Sequence, residues 1–277
     1  VCGEQDPTLT RGEFKSLGTT KKAYKCMPRG VIGVRIYTYA IIDSNAEIPT
    51  HITGLEKSCV YNIPYHDIGV VASTFHEDIS KITQKHILVH EEVAEKLMVA
   101  YTVLPMRLST VFHAKKDILR MMEIYYSDFN ANLSRLYYKV ELGIKVIWPG
   151  DQIKERIIND FRKRDVSVPV SGDSLSKKFI REKFEQYKIS KRFEKEAEKR
   201  IAGIDQAFTG LAAEKKLKKL QTKNLLLNAS YLVDKEKQSD FKKAFDHLSR
   251  THGDFQYMLS GPWPPYHFIT LTTKDKI

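Results

Sequence analysis

Few residues in this sequence have the type and spacing that chemistry demands. His86 and His90 stand four apart on a stretch of helical pattern, so both imidazoles could face one cation. The HExxH pattern fails, however, because His90-Glu91 is followed by Val93-Ala94 without a second histidine, and a plain surface pair is expected. Arg107 and Glu141 each interrupt an apolar run that reads as a strand. An unpaired buried charge there would be costly, so the two either meet, find separate partners, or face solvent. As an acid–base pair they would serve poorly, since a guanidinium stays protonated. Asn228, inside the apolar run Leu225–Val233, reads as a buried hydrogen-bonding anchor or as a contact residue. No GxxxxGK[ST], strand-linked GxGxxG, GxSxG or CxxC occurs. No cofactor or metal is expected, no catalytic set is assigned, and nothing demands an enzyme.

The most unusual stretch is Ser260-Gly261-Pro262-Trp263-Pro264-Pro265-Tyr266-His267-Phe268-Ile269. Its prolines hold φ near about −65° and donate no backbone hydrogen bond, so neither a helix nor a central strand runs through it. Trp263, Tyr266 and Phe268 hang large rings on a segment that loses little backbone entropy on docking. It either folds back to close a core or offers a partner surface resembling polyproline recognition. Its place at the end of the last strand favours closure by Phe268 and Trp263, with partner contact left to Tyr266.

The elements that position these residues follow from periodicity. Residues 1–31 are polar, aperiodic and read as an extension. Val31–Ile42, Cys59–Ile63 and Ile68–Ser73 are rich in β-branched and aromatic residues and read as strands, with a tight turn at Pro64-Tyr65-His66-Asp67. From Ile87, Leu88, Val89, Val93, Leu97, Met98 and Tyr101 fall near one helical face and Glu91, Glu92, Glu95 and Lys96 on the other. Thr102–Phe112 reads as a strand in which Pro105 marks an edge or a bulge. A longer helix follows over Lys115–Tyr138, then a strand to Trp148, closed by Pro149-Gly150. The order β-β-β-α-β-α-β over 32–149 predicts a modified ferredoxin-like α+β sandwich, with helices on one face of a mainly antiparallel sheet.

Residues 150–277 read as a second α+β domain with long helices. Ile153–Phe161 is amphipathic, Val166–Gly172 interrupts it, and Ser171, Asp173 or Ser174 can cap the next helix. From Leu175 to Leu211 apolar residues recur at steps of three and four, as one long helix or two broken near Gly203 or Gly210. A strand over Leu225–Val233, a helix around Phe241–Leu248 and a strand over Phe255–Leu259 complete the chain.

Composition narrows the function classes. The chain has 277 residues, 42% hydrophobic and 29% charged, and no apolar run of the roughly 18 residues a membrane span needs. The first residues carry no basic region followed by an apolar one, so no secretory leader is expected in them. Cys2, Cys26 and Cys59 are too few and scattered for a disulfide framework or zinc site, which favours a reduced, cytoplasmic setting. A net charge of +11 raises the alternative of a basic nucleic-acid-binding or regulatory protein. Of that charge +8 lies between Asp151 and Lys223, where acids interleave with bases as on a solvated helix. Nucleic acid is therefore the weaker reading.

Five ordered segments resemble the GvpL/GvpF gas vesicle protein family: Tyr37–Ile41, Thr102–Phe112, Val140–Val146, Leu226–Val233 and Gly261–Phe268. The Gly-Pro-Trp-Pro-Pro-Tyr run is the most specific, followed by Leu104-Pro105-Met106-Arg107. One departure is Ser109, where the family pattern often has Gly. The resemblance implies a non-enzymatic accessory protein of gas vesicle formation in a prokaryotic cytoplasm. It further implies association with the very hydrophobic shell protein GvpA and with other accessory proteins, as an assembly factor or minor vesicle component. The fold it implies is similar to the two-domain reading.

Overall fold

The computed structural model describes residues 35–76, 83–164, 175–251 and 253–272. The extension 1–31, the interruption at Val166–Gly172 and its candidate caps lie outside the described residues.

The first sheet is built from β1 (Arg35–Ile42), β2 (Val60–Tyr65), β3 (Ile68–Phe75) and β4 (Val103–Pro105), in the order β2-β3-β1-β4. All its pairings are antiparallel. This is the strand order of a ferredoxin-like sheet, modified because a loop rather than a long helix links β1 to β2. The expectation of helices on one face only is corrected. Helix α1 (Gln84–Ala100) packs Val93 and Leu97 against Tyr37, Tyr39, Ile42, Val71 and Phe75. Helix α2 (Lys115–Leu136) packs Ile118, Met122, Phe129 and Leu133 with Ile36, Ile41, Ile63, Val70 and Ala72, the opposite side chains of the same strands. β1 and β3 are apolar nearly throughout because both their faces are covered.

The expected strand Thr102–Phe112 is broken. β4 pairs with Ala40–Ile42, and a two-residue β5 (Val111–Phe112) pairs with Ile36 and Tyr37, while residues 106–110 loop out between them. Opposite that loop β1 carries its own irregularity between Thr38 and Ala40. The extra residue shifts the alternation, so Tyr37, Tyr39, Ala40 and Ile42 all join the α1-side core. Pro105 sits buried in the edge strand β4, where a missing N–H removes no inner ladder bond.

The second sheet has the order β7-β8-β6-β9, from β6 (Lys139–Ile147), β7 (Glu214–Lys219), β8 (Leu225–Asp234) and β9 (Gln256–Trp263). Its central strand β6 was expected to complete the first sheet. The pairing corrects this: β6 lies between β8 and β9, so by sheet membership the chain divides between α2 and β6 rather than at Pro149-Gly150. The physical reason is the partners on either side, since β8 and β9 flank it while its alternation alone suits either sheet. Leu142, Ile144 and Val146 face a core completed by α3 (Gly150–Arg164), α4 (Leu175–Gln206) and α5 (Gln238–Thr251). α4 is continuous through Gly203, and Gly210 lies in the turn beyond it at φ 78°. β7 reads Glu-Lys-Lys-Leu-Lys-Lys, a composition poor in strand formers but suited to guarding a sheet edge.

Candidate functional site

The joint between the two sheets is organised by the chain's last described segment. β9 ends beside β6 with Trp263 in register with Glu141 and an extra residue inserted on the β9 side. Gly261 takes φ 102° there, before a cis peptide to Pro262. A Cβ on Gly261 would stand 2.7 Å from the Glu141 carbonyl oxygen, so both the dihedral and the close approach demand glycine. Pro264 and Pro265 are buried, and short-range bonds from Tyr266 N–H to Pro264 O and Phe268 N–H to Pro265 O tighten the turn after them. Phe268 is thereby delivered, 1% exposed, into the α2-side core beside Leu136 and Leu232. Trp263 remains half-buried, on the rim of the joint rather than in its centre.

Glu141 is 4% exposed. Its Oε2 accepts the His267 backbone N–H at 3.0 Å, and its Oε1 lies 2.5 Å from His267 Nδ1. Glu141 thus holds the tail to the sheet. Arg107 does not meet it: that side chain is exposed on the loop after β4. Ser230 Oγ also approaches His267, at 3.2 Å, giving serine, histidine and carboxylate in one cluster. Both contacts fall on Nδ1, whereas a nucleophile relay needs the base to use its two nitrogens on different partners. The arrangement orients the tail and builds no relay.

Two residues that sequence reasoning passed over complete the clamp. Asn132 on α2 donates to Thr270 O at 2.7 Å and accepts Thr270 N–H at 3.0 Å, pairing with that backbone as a neighbouring strand would. Arg135, one turn on, donates to the Phe268 carbonyl and to Glu214 of β7. An asparagine and an arginine within an amphipathic helix give no sequence signal for this, because their partner lies at the far end of the chain.

Tyr266 is half-buried, with its hydroxyl sealed from solvent and unpartnered. Burial, and then the neighbouring Glu91, Tyr37, Glu95 and Glu141, push its phenol well above the ordinary tyrosine range. A hydroxyl turned inward presents no hydrogen bond to a partner. Asn228 is no buried anchor either. It lies half-buried on the open side of the second sheet and reaches Gln221 on the exposed surface at 3.4 Å.

The loop after β4 is pinned from beneath by the histidine that was expected at the surface. His90 is 2% exposed, and burial depresses its pKa to about 4. The neutral ring bridges two groups: Nδ1 takes the Tyr37 hydroxyl at 2.9 Å, and Nε2 donates to Met106 O at 3.2 Å. Tyr37 in turn accepts the Ser109 N–H at 3.2 Å. Ser109 adopts φ 68°, a left-handed conformation that explains why glycine would suit this position. His86 instead turns to the N-terminus of α1, where its Nδ1 accepts the Thr83 N–H at 3.1 Å. No group of three or more His, Cys, Asp or Glu side chains able to hold a metal occurs among the described residues.

A second surface stands apart from this joint. The C-terminal half of α4 is buried through Phe193, Ala197, Ile201 and Ile204, but Ser176–Lys188 is exposed throughout. Phe179, Ile180, Phe184 and Tyr187 in that half are each more than half exposed. Lysines cover the three rings: Lys183 over Phe179 at 5.6 Å, Lys188 over Phe184 at 4.4 Å and Lys191 over Tyr187 at 5.9 Å. No described helix is long and apolar enough to cross a membrane.

Comparison with known proteins agrees with this architecture. Residues 35–270 match the family model of the gas vesicle synthesis protein GvpL/GvpF. Gas vesicle protein F2 of Halobacterium salinarum is 23% identical over 240 residues, covering 85% of this chain and 92% of that protein. Gas vesicle protein L of a Streptomyces species is 24% identical over 204 residues, covering 67% of this chain and 69% of the other. In fold, the chain is similar to the crystal structure of GvpF from Anabaena sp. PCC7120, with a TM-score of 0.74 at 17% identity, covering 88% of this chain and 99% of that one. This chain belongs to the GvpL/GvpF family, and its role lies in gas vesicle formation.

Proposed function

We propose that this protein is a non-enzymatic accessory factor that binds the apolar shell subunit GvpA, together with other accessory proteins, and assists assembly in the cytoplasm. The observation that carries the reading is the exposed apolar side chains of α4 in a chain of this family. A soluble protein rarely leaves contiguous large apolar side chains in water unless another surface covers them. A shell subunit has the complementary problem, because its apolar surface aggregates until it is buried. Retention as a minor vesicle component is compatible with the same contact.

The nucleic-acid alternative finds less support. Lysines and arginines in the basic region are drawn into pairs with acids, as in Lys191–Glu194, Arg200–Glu196 and Lys215–Asp205. Such pairing leaves fewer cations to displace counterions from a phosphate backbone. Co-expression tests the proposal. The shell subunit should stay soluble and co-purify with this protein, and a shell subunit equally soluble with and without it, with no complex recovered, refutes the binding role.

A further inference from the structure

The geometry points to the first half of α4 as the docking ridge for a partner protein's helix whose apolar face carries carboxylates. At about 100° per residue, Phe179, Tyr187, Ile180 and Phe184 fall within an arc of about 140° on one side of the helix. Lys183 and Lys191 lie inside that arc, as their positions over the rings of Phe179 and Tyr187 require, and the pair Lys191 makes with Glu194 is a solvent-exposed contact that a partner carboxylate can replace. Lys177 and Lys188 border it, whereas Glu182 and Glu185 fall on the far side. Leu175–Arg192 carries seven bases against two acids, so the ridge is strongly cationic. Lys183 and Lys191 are eight residues apart, or about 12 Å along the axis. The complementary surface is an amphipathic helix with two acidic side chains at that spacing within its apolar face.

Other occupants fit less well. A second α4 would bring seven bases against seven, and like charges across a dry contact are costly. The acidic helix α1 of a second copy offers exposed Leu88 and Val99, but its Glu92 and Glu95 are three residues apart, about 4.5 Å along the axis, and cannot meet Lys183 and Lys191 together. Residues 1–34 hold six bases against three acids and add to the positive charge rather than balance it. A lipid surface favours cations on the flanks of an apolar arc, where they reach headgroups. Here cations border the arc on one side only, through Lys177 and Lys188, and Lys183 and Lys191 lie within it between the apolar side chains.

The inference rests on the reading of this chain as a binding protein, and a peptide titration separates the two. The full chain is titrated with two labelled synthetic amphipathic helices sharing one leucine face. One carries glutamate at two positions eight apart within that face, the other lysine. Fluorescence anisotropy should give the glutamate peptide at least about tenfold tighter binding, weakening as salt screens the contact. Lys183→Glu with Lys191→Glu should invert the preference. Phe179→Ser, Phe184→Ser and Tyr187→Ser together should abolish binding with circular dichroism unchanged, since those rings lie outside the core. Equal affinity for both peptides, or indifference to the ring substitutions, overturns the ridge. So does binding of anionic phosphatidylglycerol vesicles in place of the peptide, or self-association that vanishes in the ring variant. A shell subunit that co-purifies equally with wild type and ring variant leaves shell binding intact and removes only the ridge.

Discussion

Acid should loosen this protein through one buried imidazole. His90 lies beneath the loop after β4, neutral, accepting from Tyr37 and donating to Met106. Burial lowers its pKa from 6.5 to about 4, against the smaller opposing effect of the Met106 hydrogen bond. Between those values the unfolded chain binds a proton that the folded chain refuses. The stabilisation is therefore complete above pH 6.5 and is lost progressively as pH falls toward 4. At about 1.4 kcal/mol per pKa unit the loss approaches about 3 kcal/mol. Protonating Nδ1 would also remove the acceptor for the Tyr37 hydroxyl, which in turn holds the Ser109 amide.

Urea unfolding of the wild type and of His90→Gln, followed from about pH 7.5 to pH 4, isolates this contribution. With a urea slope of about 1–3 kcal/mol per molar, the wild-type midpoint should fall by about 1 M or more relative to the variant across that range. Glu95 works in the opposite direction: burial and the neighbouring Glu91 and Glu92 raise its pKa, so acid favours the folded state there. That contribution is common to both proteins and cancels in the difference. The protection of the Ser109 amide against hydrogen exchange, taken relative to the intrinsic rate that acid itself slows, should fall with acid in the wild type alone. Parallel midpoint curves would refute the argument, because they would mean that His90 titrates alike folded and unfolded.

Three further perturbations probe the clamp. Gly261→Ala forces a side chain into φ 102° and against the Glu141 carbonyl, and should lower stability by about 2 kcal/mol or more in thermal or urea unfolding. Asn132→Ala removes both bonds to Thr270 and should cost about 2 kcal/mol, with faster exchange at the Thr270 amide and little change within β1 or β3. Tyr266→Phe deletes a buried hydroxyl that has no partner, so stability should hold or rise by up to about 1 kcal/mol. A loss above that size would show that the hydroxyl makes a hydrogen bond in solution.

The element types were legible because burial leaves periodic traces. Apolar positions at steps of three and four marked α1, α2 and α4, β-branched and aromatic runs marked β1 and β3, and a leucine-rich apolar run marked β8. The proline-rich terminus was legible as a strand stop, since three prolines there leave the backbone few alternatives. β7 was missed because four of its six residues are lysines, which guard an edge rather than fill a core. Phe179, Phe184 and Tyr187 were legible as part of an amphipathic face, but periodicity alone does not say whether such a face is covered.

The sequence by itself determined the alternation of strands and helices, the family, and the demand for glycine and proline before Trp263. Tertiary structure alone decided which sheet each strand joins. β6 carries a pattern that either sheet accepts, and it belongs to the second because β8 and β9 flank it. The same holds for the polar residues. Glu141 takes His267 rather than Arg107, His90 is buried rather than exposed, and Asn132 grips a backbone 138 positions away. A buried polar group needs a partner, and local sequence can state that need. Which partner answers it depends on chain segments brought together only when the core closes.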